Sequence, residues 1–109
     1  MAISNGSTPF VVSVPKPLLD KIREWVELAK RIGRAEEFLA VLREINDRLE
    51  NDPHGWGDRL RNYATIEAVE MRGMIPKWLL VWYGIHDRAR QVVVRSLLPA
   101  TGSPLLSLQ

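Results

Sequence analysis

The chain has 109 residues, no cysteine, and a formal charge of +2 from 15 basic and 13 acidic side chains. That length, with 46% hydrophobic residues, fits one domain with a modest core. Without cysteine there is no disulfide, thiolate metal site or cysteine nucleophile, so packing alone must hold the fold.

The opening MAISNGSTPF lacks a basic segment followed by an apolar one, and no apolar run approaches the roughly 20 residues of a membrane helix. A soluble, cytoplasmic protein is expected. Residues 1 to 9 are small and polar and are expected to be disordered. PFVVSV then reads as a short strand, and VPKP ends it and starts a helix, where proline in the first turn is harmless. Leu18, Leu19, Ile22, Trp25, Val26, Ala29 and Ile32 recur at three- and four-residue steps and paint one apolar stripe. Gly33 terminates that helix. A second stripe, Phe38, Leu39, Leu42, Ile45 and Leu49, runs to Asn51-Asp52-Pro53, and the short link predicts an antiparallel helical hairpin.

After residue 63 the pattern turns to β-rich runs, ATIEAVEMR, WLLVWYGI and QVVVRSLL, with GMIP and HDRAR as turns. If two consecutive hairpins keep parity, even-numbered residues share one face and odd-numbered residues the other. The even face, with Trp78, Leu80, Trp82, Val92, Val94 and Leu98, is expected to receive the helices. The odd face mixes Val69, Leu79, Val81, Ile85 and Val93 with Thr65, Glu67, Tyr83, Gln91 and Arg95, and is the candidate partner surface. A bulge in the second strand would exchange Glu67 with its neighbours. The tail TGSPLLSLQ is read as disordered or docked on a neighbour.

The polar stretch NDPHGWGDRLRNY, residues 51–63, is either a reaction centre or a helix stop. His54 and Trp56 bind a base by stacking or supply an acid on the first reading, and clamp a loop on the second. Arg95 either contacts phosphate or pairs with Glu67. The two histidines are too isolated for a metal site, and alternation separates Glu67 from Glu70, so no carboxylate pair is expected.

A strand, a helix pair, a DP-then-Gly-then-Leu connection, then three strands including LLVWYGIHD and QVVVRS: this order resembles the RelE/ParE superfamily of bacterial type II toxins over roughly residues 10 to 98. The resemblance implies an α+β fold with an N-terminal strand, an antiparallel helical hairpin and a three-stranded antiparallel meander. Residues 1–9 and 99–109 would flank that single domain. It implies a cognate antitoxin that covers apolar surface, with self-association or dependence on that partner, and either ribosome-bound mRNA or DNA gyrase as target. No cofactor is implied. In GDRLR, Asp58 and Arg61 match the spacing of an acidic residue before an x-Leu-basic triplet, which in nuclease members serves as base towards the RNA 2′-hydroxyl. Arg61, Arg72 or Arg95 would supply phosphate contacts and Tyr83 a stacking or hydrogen-bonding surface, with Lys77 on the same candidate substrate or partner surface. Leu79 and Leu80 stand where nuclease members carry an arginine, and Leu97, Leu98 and Pro99 where they carry a histidine, lysine or tyrosine. Binding with weak or absent cleavage is therefore expected, metal-free mRNA cleavage being the alternative. A third reading is an unrelated α+β interaction domain.

Overall fold

The computed structural model describes residues 9–63 and 68–108. The expected disorder of residues 1–8, and the expected positions of Ala64, Thr65, Ile66 and Glu67, lie outside those residues. Strand β1 (Val11–Ser13) leads into α1 (Lys16–Arg31), α2 (Ala35–Asn51) and the single turn α3 (Pro53–Trp56). Strands β2 (Asp58–Tyr63), β3 (Ala68–Ile75), β4 (Leu79–His86) and β5 (Gln91–Pro99) follow, then a 3₁₀ turn, Pro104–Leu108. The class is α+β, with a five-stranded mixed sheet ordered β1-β5-β4-β3-β2. Strands β2 to β5 pair antiparallel with their sequence neighbours, and β1 closes the far edge parallel to β5.

Local sequence explains the helix ends. Pro17 sits in the first turn of α1, where its missing N–H costs nothing. Lys30 and Arg31 lie in the last turn, where cations oppose the helix dipole. The chain then reverses at Gly33 with φ 73°, a left-handed conformation that glycine adopts without steric cost. Helix α2 carries Glu36 and Glu37 in its first turn and stops before Pro53. Its buried stripe is Phe38, Val41, Ile45 and Leu49, with Leu39 left exposed.

The core lies between these helices and one face of the sheet. Leu79, Val81, Tyr83 and Ile85 of β4 are fully buried there, beside Met71 and Ile75 of β3 and Val92 and Val94 of β5. Each large apolar side chain so buried contributes about 1.5–3 kcal/mol. The expected register is therefore corrected: odd residues of β4 face the helices, and Leu80 and Trp82 are only half-buried on the other side. The reason is the length of the second turn. The β3–β4 turn holds three residues and pairs Ile75 with Leu79, which keeps parity. The β4–β5 turn holds four residues, Asp87 to Arg90, and pairs His86 with Gln91, which reverses it. Val92 and Val94 thus join Ile85 and Tyr83 in the core. A bulge follows: Tyr83 opposes Val94 while Trp82 opposes Ser96, so Arg95 is the extra residue and Leu97 returns to the core opposite Val81.

Two further readings change. The stretch 58–63, read as a connection, is an edge strand with its own irregularity between Arg59 and Arg61. The PLLSL tail docks on its own domain: Leu105 is fully buried, and the Ser103 hydroxyl accepts the Leu105 amide at 3.2 Å. Leu105 is thereby withdrawn from any partner surface, while Leu106 beside it stays exposed. Among the described residues no helix is long and apolar enough to cross a membrane.

Candidate binding face

Residues 51–63 resolve into a clamp and an edge strand. The Asp52 carboxylate accepts the Gly55 amide at 3.1 Å and so caps α3. Trp56 stacks on Tyr83 with ring centroids 5.6 Å apart and planes 13° from parallel. Its ring lies over Gly73, where a Cβ atom would come within 2.7 Å of it. The Tyr83 hydroxyl donates to the Pro53 carbonyl at 2.6 Å and accepts the Gly57 amide at 3.1 Å. Burial pushes the Tyr83 phenol up to about 12; the Gly57 amide opposes that shift and the carboxylates of Asp52 and Asp58 add to it. Tyr83 is fully buried, so the expected stacking or partner surface on that ring is corrected to a structural anchor.

His54 has a separate tie. Its Nε2 lies 2.8 Å from an Asp87 oxygen, linking α3 to the β4–β5 turn. Phe10 packs edge-on against the His54 ring at 6.5 Å, and the Arg90 guanidinium sits 4.0 Å from the Phe10 centroid. This contact spans 33 residues of sequence, and no spacing signal marks it. His54 and Trp56 therefore both hold the stop after α2.

Among the described residues no helix lies over the other face of the sheet, which collects most of the remaining candidates. Directly paired residues share a face, so one row across the strands reads Asp58, Arg72, Trp82, Ser96. At strand spacing that row spans about 14 Å. The next row towards the β4–β5 turn is Arg61, Glu70, Gly84, Val93. The row towards the β3–β4 turn is Met74, Leu80, Leu98. Glu70, Trp82, Arg95, Ser96 and Leu98 line a shallow groove in this face. Met74 and Leu98 are 52% and 47% exposed, which leaves one end of the groove apolar and open.

Four of the residues singled out in the sequence, Asp58, Arg61, Arg72 and Arg95, thus share this face. Lys77 does not: it stands in the β3–β4 turn with φ 69°. Glu67 lies outside the described residues. Trp82, with Leu80 and Leu98, is a residue that sequence reasoning placed wrongly, in the core rather than on the open face. The turn read as HDRAR has five residues, which keeps parity; His86 instead belongs to β4 and pairs with Gln91, and the remaining four-residue connection exchanges the faces. Among the described residues no group of three or more acidic or histidine side chains is placed to hold a metal ion. The sequence matches no protein-family model, no curated protein and no solved structure.

Proposed function

We propose that the chain is a toxin-like component of a type II toxin–antitoxin pair, and that it acts by binding a ribosomal or protein target through the open sheet face, with weak or absent cleavage. The observation that carries this reading is the placement of Arg61, Arg72 and Arg95 around Trp82 on the sheet face that none of the described helices covers. Arginines beside a partly exposed indole offer charge-assisted hydrogen bonds and a flat contact surface together. The exposed Met74 and Leu98 supply the apolar end that an antitoxin segment would cover. Family membership rests on the resemblance of element order and of the GDRLR and LLVWYGIHD motifs.

Binding is favoured over cleavage by what occupies the family's other catalytic positions. Leu79 and Leu97 are core residues, Leu80 and Leu98 face one another across β4 and β5, and Pro99 opposes Leu79. None can give a proton to a leaving oxygen. Cleavage of mRNA with Asp58 as base is the second reading, and it draws on Asp58 standing directly opposite Arg72. The test is induced expression in a bacterial host, followed by assays of translation and of DNA supercoiling and by mapping of mRNA ends. Growth arrest without new mRNA ends agrees with the proposal; robust cleavage lost in both Asp58→Ala and Arg61→Ala restores the nuclease reading.

A further inference from the structure

A cavity of about 150 Å³ lies on the helix side of the sheet, away from the open face, between α1, α2 and the β1–β5 edge. Val14, Ile22, Leu42, Ile45, Val94 and Leu97 line it, and Asn46 is the one polar residue in its wall. The space is a cleft open to solvent on one side with almost wholly apolar walls, so water within it finds few hydrogen-bond partners. An enclosed apolar cavity of about this volume accepts a benzene-sized molecule, which sets the size of the body the cleft can hold.

The cavity is not sealed. Leu42 and Asn46 also form part of a surface groove along α2, whose remaining wall includes Arg43, Asp47 and Glu50. A ligand with an apolar body would therefore have its other end at Asn46, in a mouth holding two carboxylates and one guanidinium. That balance disfavours a carboxylate head, and the Asn46 carboxamide suits a neutral group that both donates and accepts a hydrogen bond.

We infer that this cavity is a binding site for a small neutral amphiphile: a benzene-sized or short aliphatic body buried between α2 and β5, with a hydroxyl or similar polar end at Asn46. The site is separate from the open face and does not depend on the function proposed for it.

The test is a methyl-detected NMR titration of the full chain with hexan-1-ol, with hexanoate as the charged counterpart. Hexan-1-ol should bind saturably and at least tenfold tighter than hexanoate, shifting the methyl signals of Val14, Val94 and Leu97 and leaving Leu98 on the open face unmoved. Val14→Phe, which fills the space from the β1–α1 connection, should weaken binding at least tenfold; the wild-type shift map decides the matter even if that variant folds poorly. Absence of saturable binding, shifts confined to the open face, or equal affinity for hexanoate would each overturn the inference. So would methyl signals that respond only to an added partner protein and not to the alcohol.

Discussion

The Tyr83 hydroxyl donates to the Pro53 carbonyl at 2.6 Å and thereby ties the end of the helical layer to the centre of the sheet. Both partners are buried, so the bond is shielded from water. Tyr83→Phe leaves the Pro53 carbonyl without that donor and the Gly57 amide without its acceptor. We expect a loss of about 1–3 kcal/mol, read from urea unfolding midpoints.

Gly73→Ala tests the other half of the clamp. A Cβ atom there would come within 2.7 Å of the Trp56 ring, which must move off Tyr83. Overpacking of this kind costs about 1–3 kcal/mol, and the displaced indole should change the tryptophan emission. An alanine variant as stable as wild type with an unchanged spectrum would mean that Trp56 does not sit over Gly73.

The phenol of Tyr83 gives the fold an alkaline limit. Its folded pKa, raised from 10.0 to about 12, exceeds the unfolded value, so the native state holds its proton longer. The stabilisation of the neutral phenol is fully present below about pH 10 and is lost as pH rises from about 10 towards 12. The gap corresponds to roughly 2–3 kcal/mol at most. Unfolding midpoints at pH 9, 10 and 11 should fall more steeply for wild type than for Tyr83→Phe; parallel curves would contradict the assignment.

The reversed register makes a paired prediction. Leu79→Ala removes a fully buried side chain and should cost about 2–5 kcal/mol, whereas Trp82→Ala, on the partly exposed face, should cost less despite losing more atoms. Urea midpoints rank the two. The opposite order would return Trp82 to the core.

Much of the fold was legible because burial leaves periodic traces. Trp25 and Ala29 on α1, and Phe38, Ile45 and Leu49 on α2, stood out at helical spacing, and the runs from Trp78 to Ile85 and from Gln91 to Leu98 stood out as strands. Which face they buried was not legible from each strand alone, because Leu80 and Trp82 look as apolar as Leu79 and Val81. The parity change at the four-residue turn, and the bulge at Arg95, decide it. On the open face, Asp58 and Arg61, singled out by the family resemblance, lie with Arg72 and Arg95, while Trp82 was hidden by its own hydrophobicity. The His54–Asp87 contact joins residues 33 apart and depends on how α3 meets the β4–β5 turn, which no local pattern encodes.

Growth of a bacterial host after induction, comparing the wild-type chain with an Arg72→Glu, Trp82→Ala, Arg95→Glu triple variant, tests the role of the open face most directly. All three positions lie on that face and outside the core, so the variant should retain a cooperative thermal transition. The account predicts that the wild type arrests growth and that the folded variant does not. No arrest by the wild type, or equal arrest by the folded variant, would contradict it.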